Sequence, residues 1–359
     1  MARRPGSGAS MRVVVVGATG NVGTSVVRAL ATDGGVTSIV GVARRLPRWR
    51  IDRTDWRQAD VATADLTRIF DGADAVVHLA WLFQPTRHPA TTWRANVLGS
   101  MRVFRAVAEA GVPALVHASS VGAYSPGPKD RPVDESWPTH GWPGTAYARE
   151  KAYVERVLDV FENDHPGIRV VRMRPGFIFQ RAASTEQRRL FGGPFVPRRL
   201  IRAGRVPFVP EIPGLRLQVL HAEDAAEAYR LAVTKDVRGP FNIAAEPVLD
   251  PPDLAKLLGA RTVRVPAGLA RAVMSAGWHL RLIPAAPSML DLVLQIPYMN
   301  TERAREVLGW TPRHSSWEAM QELFQGLHDG AGMDTAPLAP DGGPVQRAKE
   351  LAGGVGARP

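Results

Sequence analysis

The 359 residues are long for one compact core and suit a large domain with a smaller second one. Hydrophobic residues at 45% and charged residues at 22% fit an ordinary globular chain, and the lack of cysteine excludes disulfides and thiolate metal sites. The net charge of +11 allows an anionic partner, but the arginines are spread through helix and loop patterns with no nucleic-acid module, so no nucleic acid is expected.

Residues 1–10 read as a disordered leader. Their basic start is followed by a strand rather than an apolar stretch and cleavage site, and the expected location is cytoplasmic. No apolar run reaches the roughly 20 residues of a membrane span, so no membrane partner is expected. Val13–Val16 is a β-branched run of the kind buried on both faces of a parallel sheet. A Gly-rich turn follows, then a helix pattern over Val22–Leu30 and a second strand over Ser38–Val42. Ala75–Leu79 and Ala114–Ala118 read as further strands, with a helix over Met101–Ala110 between them. A helix from about Tyr147 to Phe161 leads to a strand over Arg169–Met173. This alternation predicts an α/β fold, a Rossmann-type doubly wound parallel sheet.

Beyond Phe179 the pattern loosens. Ala222–Ala232 reads as a helix and Pro240–Ala244 as a short strand, while residues 251–325 hold helical segments broken by proline. The expected division is a dinucleotide-binding domain over 11–180 and about 216–245, with a smaller, mostly helical substrate domain from 181–215 and 246–328. Residues 329–359, rich in Gly, Pro and Ala, read as a disordered tail.

Gly17-Ala18-Thr19-Gly20-Asn21-Val22-Gly23 closes the first strand and opens a helix. The spacing is GxxGxxG rather than GxGxxG, but the physics is shared. Glycine permits the tight turn, and backbone N–H groups reach a pyrophosphate seated on the helix N-terminus. A site for NAD places an acid at the end of the second strand, whereas one for NADP has a small residue there and arginines for the 2′-phosphate. Here Ala43 stands in that place and Arg44 and Arg45 follow, so NADP(H) is expected, with NAD(H) possible. Asp60-Val61 follows the third strand, where a carboxylate can accept from the adenine amino group.

Tyr147 and Lys151 are four apart on a helix pattern, one turn from each other. With 5 tyrosines and 5 lysines in the chain, chance gives such a pair roughly 0.07 times. Ser119 and Ser120 end the strand Ala114–Ala118, at the sheet edge where ligands bind. An ammonium beside a phenol lowers the phenol's pKa from about 10, which would fit Tyr147 for acid–base work. His78 and His117 fall in buried strands and read as core residues, and no metal-binding pair is found.

Together these residues resemble the extended short-chain dehydrogenases/reductases, the group that includes the NAD-dependent epimerase/dehydratase family. The resemblance rests on Gly17/Gly20/Gly23, Val77-His78-Leu79-Ala80, Asn96, Ser119-Ser120 before Tyr124, Tyr147/Lys151, Arg174-Pro175-Gly176, His221 with Asp224, and Leu308-Gly309-Trp310-Thr311-Pro312. It implies that Ser120, Tyr147 and Lys151 are catalytic: Tyr147 exchanges a proton with the substrate oxygen, Ser120 hydrogen-bonds that oxygen, and Lys151 also holds the nicotinamide ribose. It further implies that Leu79, Ala80 and Trp81 line the cofactor and that the backbone of Pro175, Gly176 and Phe177 meets the carboxamide. A homodimer pairing the helices near 97–110 and 147–161 is implied as well.

The activity so implied is hydride transfer between NADP(H) and a small carbonyl or alcohol. The alternatives are a nucleotide-sugar epimerase or dehydratase and a non-catalytic NADP-binding regulator. The nucleotide-sugar branch usually carries a diphosphate-binding asparagine after the Arg-Pro pair, and Phe177 stands in that place. Trp81 and Phe83 make that side of the pocket aromatic, whereas Arg198, Arg199, Arg202 and Arg205 could hold an anion.

Overall fold

The computed structural model describes residues 10–196, 201, 204–343, 351–352 and 354–355. Of the leader, only Ser10 falls among the described residues. Seven strands form one parallel sheet: β1 (Met11–Val16), β2 (Val36–Ala43), β3 (Thr54–Gln58), β4 (Ala75–His78), β5 (Ala114–Ala118), β6 (Arg169–Pro175) and, after three short strands elsewhere, β10 (Gly239–Ile243). Their spatial order is β10-β6-β5-β4-β1-β2-β3. The order reverses beside β1, and in doubly wound sheets the crevice at that reversal is where ligands bind.

The valine run explains why the sheet is covered on both faces. Successive residues of a strand point to opposite sides. Val13 and Val15 enter one buried cluster with Leu30, Tyr229 and Trp310, while Val14 and Val16 enter another with Phe70, Phe104 and Leu158. The first face is covered by α1 (Asn21–Ala31) and later by α7 (Ala222–Thr234). The second is covered by α2 (Thr67–Phe70), α4 (Gly99–Glu109) and α5 (Ala146–Asp164). Between β4 and α4 lie α3 (Pro89–Trp93) and one π-helical turn over Arg94–Leu98.

The rest of the chain is mostly helical: α6 (Ser184–Gln187), α8 (Pro251–Leu258), α9 (Ala267–His279), α10 (Ser288–Gln295), α11 (Glu302–Glu306) and α12 (Ser316–Asp329). Two small parallel pairs join it, β7 (Phe177–Phe179) with β9 (Val219–His221) and β8 (Phe208–Glu211) with β11 (Arg261–Arg264). Arg198, Arg199 and Arg202 lie outside the described residues. Trp310, from the Leu-Gly-Trp stretch, is fully buried and donates its indole N–H to the Asp224 carbonyl (2.8 Å). Among the described residues no helix is long and apolar enough to cross a membrane.

One expectation is corrected. Residues 330–343, assigned by composition to a disordered tail, pack as a strap against the Gly-rich turn. Leu338 and Thr335 are buried there, and Thr335 Oγ1 donates to the Thr19 carbonyl (2.9 Å). Arg189 donates to the carbonyls of Pro337 and Ala339. An irregular segment anchored by single residues leaves no periodic signature.

Candidate active site

A cleft of about 950 Å³ runs along the C-terminal edge of the sheet. Gly17, Thr19 and Gly20 line one end, then Ala43, Arg44, Asp60 and Val61, and then Leu79, Ala80 and Trp81. Gly17 has φ 88°, and a Cβ there would lie 2.7 Å from the Ala80 amide nitrogen. A Cβ on Gly23 would run into the Gly17 carbonyl, whereas one on Gly20 would meet nothing closer than 3.6 Å. Gly17 and Gly23 thus fold the turn, and Gly20 leaves the approach open. This cradle fits the pyrophosphate and adenosine of a dinucleotide.

Other predicted residues serve the frame. Asn21 turns from the cleft: its amide donates to the Ile178 carbonyl (2.9 Å), and Gln180 Nε2 donates to its Oδ1 (3.0 Å). Val22 packs against the first core cluster. Arg45 is exposed and does not line the cleft. One oxygen of Asp60 accepts from the Ala62 amide (3.0 Å). Pro175, Gly176 and Phe177 line neither the cleft nor the cavity described below, and the amides of Gly176 and Phe177 donate to the carbonyls of Ile243 and Gln218. Phe83 lines the cleft beside Trp81, as expected, and the cleft residues that sequence reading did not single out include Leu82, Glu186, Leu190 and Pro337. They come from three separate segments, near 82, 186–190 and 337, which only the folded topology gathers. Burial pushes the Glu186 carboxyl up to about 7.

Ser120 and Tyr147 meet. Thr145 caps α5 by accepting from the Ala148 amide (3.0 Å), which sets Tyr147 and Lys151 in its first turns. Tyr147 Oη donates to Ser120 Oγ (2.8 Å), which also accepts from the Gly122 amide (3.0 Å). A Cβ on Gly122 would strike the Tyr147 ring at 2.7 Å, so glycine is required there. Lys151 Nζ donates to the Ala118 carbonyl (2.7 Å) and sits 3.4 Å from the centroid of the Trp81 ring. That ring meets Tyr147 edge-on (6.0 Å), and Phe83 stacks on Tyr147 (4.9 Å, 14°).

The electrostatics differ from the expectation that an ammonium lowers the phenol. Burial pushes the Tyr147 phenol up to about 12, opposed by the Ser120 hydrogen bond. Burial pushes Lys151 down to about 7, opposed by Glu155 and Glu150. At neutral pH Tyr147 therefore holds its proton and is poised as an acid.

A second cavity of about 540 Å³ adjoins the cleft and shares Leu82 and Phe83 with it. Tyr147, Phe191, Ala285 and Met289 give it a mainly apolar wall, and Thr86, Thr92, Thr145, Glu150 and Ser288 add polar groups. Thr92 Oγ1 and Asn96 Nδ2 donate to the Glu150 carboxylate (2.6 and 2.7 Å). Behind the site, Glu155 accepts from Ser119, Arg172 and Arg174 at 2.5–3.0 Å. His78 and His117 are buried in the sheet, and burial holds His78 at about 3. Elsewhere His221, Glu223 and His314 bring ligand-type atoms within 4.8 Å of one another. The two rings lie 4.1 Å apart, tilted by 36°, and each already pairs with a carboxylate, Glu322 or Asp224.

The glycine cradle and the Ser120–Tyr147 pair thus lie along the C-terminal edge of a doubly wound sheet. Residues 13–244 match the NAD dependent epimerase/dehydratase family, and the chain belongs to that family. It is 30% identical over 330 residues to 3-diazoavenalumate denitrifying reductase of a Streptomyces species, covering 86% of this chain and 98% of that protein. It is 26% identical to 4-hydroxy-2-methyl-3-oxo-4-farnesyl-3,4-dihydroquinoline-1-oxide ketoreductase of Stigmatella aurantiaca, covering 90% and 98%. The chain spans about 30% of the length of an uncharacterized Mycobacterium tuberculosis protein that it matches at 26% identity. The fold resembles that of UDP-N-acetylglucosamine 4-epimerase from Bacillus cereus, with TM-score 0.64, 19% identity and coverage of 92% and 99%.

Proposed function

We propose that the chain is an NADP(H)-dependent reductase of a small, rather apolar carbonyl. The observation that carries this reading is the half-buried Ser120–Tyr147 hydrogen bond, 2.8 Å long, beside a mainly apolar cavity. The phenol is held protonated, which is what delivery of a proton to a carbonyl oxygen requires. Two relatives named as reductases support the direction.

Gly17, Thr19 and Gly20 would hold the pyrophosphate, Asp60 and Val61 the adenine, and Leu79–Trp81 the wall towards the nicotinamide. When bound, the dinucleotide supplies the hydride. Ser120 Oγ accepts from Tyr147 and from the Gly122 amide, so its own proton is left for the substrate oxygen. Tyr147 gives that oxygen its proton. Lys151, one turn further on, would hold the ribose once it leaves the Trp81 ring. Preference for NADP(H) rests on the small Ala43 and on Arg44 at the cleft, where a guanidinium can pair with a 2′-phosphate. We read the protein as a cytoplasmic homodimer. Exposed Leu98 and Met101 around α4 and exposed Tyr153 and Val160 on the adjoining α5 support the pairing.

Phe177 packs its ring into two apolar clusters and has no side-chain donor for a phosphate, which favours a simple carbonyl over a nucleotide-sugar. The test is NADPH oxidation with a panel of apolar aldehydes and ketones, together with calorimetry of the NADP complex against UDP- and dTDP-sugars. Turnover of a carbonyl without sugar-nucleotide binding is expected. Binding at or below about 100 μM, roughly 5.5 kcal/mol, would overturn the reading and favour an epimerase.

A further inference from the structure

An ordinary surface helix turns its apolar stripe to the core and its charges to water. Helix α9 departs from this: none of its residues is buried. At 100° per residue, Leu269, Ala272, Val273, Ala276 and the capping Leu280 share one face, and all five are exposed. Leu269, Val273 and Leu280 are 57%, 64% and 69% exposed, and Leu282 just beyond is 42% exposed. The opposite face rests on the body, where Trp278 lies 4.1 Å under the Arg87 guanidinium and donates its indole N–H to Thr86 (3.4 Å). The stripe thus points outward although the helix is docked.

Charge is distributed as unevenly as burial. Between Asp253 and Asp291 the chain has no carboxylate, yet it carries Lys256, Arg261, Arg264, Arg271 and Arg281. Arg271 pairs with Asp291 (2.8 Å). Arg264 before the helix and Arg281 after it are exposed and form no side-chain hydrogen bond or ion pair among the described residues.

We infer that α9 and the Leu280–Leu282 turn form a docking surface for an anionic lipid bilayer, lying in its interface. An outward apolar stripe gains by entering the acyl boundary, and cations at both ends gain from the negative headgroups. A nucleic acid would satisfy the arginines but leave the leucines and valine in water. Two-fold pairing of this face with a second copy would set the same uncompensated cations against each other. The surface needs no spanning helix, and among the described residues none is long and apolar enough to be one.

The test is co-sedimentation of the full chain with vesicles of phosphatidylcholine alone and of equal parts phosphatidylcholine and phosphatidylglycerol. Binding to the anionic vesicles only, weakened by salt, is expected. Arg264→Ala plus Arg281→Ala should weaken it about twenty-five-fold, since each such cation near the surface contributes about fivefold. Leu269→Ser with Val273→Ser and Leu280→Ser, all at exposed positions, should abolish binding while leaving the far-ultraviolet circular dichroism and cofactor affinity unchanged. Equal binding to both vesicle types, binding to neither, or wild-type binding by the triple variant would overturn the proposal. So would light scattering that shows an oligomer lost on the triple substitution, which would assign the face to a second copy.

Discussion

Replacing Tyr147 by phenylalanine removes one oxygen and keeps the ring. The stack on Phe83 at 4.9 Å and the edge contact with Trp81 at 6.0 Å both involve the ring alone, so the local packing should survive. What disappears is the proton donor and the 2.8 Å bond to Ser120. The Ser120 oxygen keeps its bond from the Gly122 amide, so the stability cost should stay near that of one ordinary hydrogen bond, about 1 kcal/mol. The kinetic cost is larger. A positioned acid contributes about 10²-fold or more, so kcat should fall by at least about 2.7 kcal/mol in barrier height. The assay is steady-state NADPH oxidation with the best carbonyl found, beside a fluorescence titration of cofactor on the same variant. The expected result is a kcat below about one hundredth of wild type with cofactor affinity within about threefold. A variant that keeps more than about a tenth of kcat would show that the proton comes from elsewhere.

Replacing Arg44 and Arg45 together by alanine should weaken NADPH binding about tenfold or more, the worth of a charge-assisted bond, and leave NADH unchanged; equal losses for both cofactors would refute the 2′-phosphate assignment. Burial pushes Glu155 up, but Arg174, Arg172 and the Ser119 hydroxyl outweigh it and hold the carboxyl at about 2. Because the folded value lies below the ordinary 4.5, its stabilisation should be complete above pH 4.5 and vanish as the pH falls towards 2. Glu155→Gln should cost about 3–5 kcal/mol at neutral pH by urea denaturation, and a loss under about 1 kcal/mol would mean the buried arginines find other partners. Thr335→Val leaves the Thr19 carbonyl without its donor and should lower stability by about 1–3 kcal/mol, with no change expected if the strap is open in solution. Light scattering at micromolar concentration should report a dimer, and charged substitutions at Met101 and Tyr153 should yield monomer.

The nucleotide-binding half was readable because its signals are local. A run of four valines, a glycine turn and a Tyr-Lys pair one helical turn apart each state their own geometry within seven residues. The observed β2 runs from Val36 to Ala43 rather than Ser38 to Val42, since pairing with β1 and β3 extends it beyond its apolar part. What failed were properties that depend on distant chain. Spacing placed Lys151 near Tyr147 but could not give the burial that sets both pKa values, nor the Trp81 ring over the ammonium. Adjacency suggested that Arg44 and Arg45 act together, yet only Arg44 lines the cleft. The strap around Thr335 and Leu338 was lost because its composition resembles that of a linker.

Leu82 and Phe83 belong to both the long cleft and the smaller cavity. A shared wall makes the two sites thermodynamic neighbours. If a ligand in one turns the Phe83 ring, the other site changes shape at the same moment, and the energy of that change appears in both affinities. Linkage then requires reciprocity: whatever factor the dinucleotide imposes on the affinity for the small molecule, the small molecule imposes on the dinucleotide. The Phe83–Tyr147 stack brings the proposed acid, Tyr147, into this coupling, so the size of residue 83 would set how strongly each ligand senses the other.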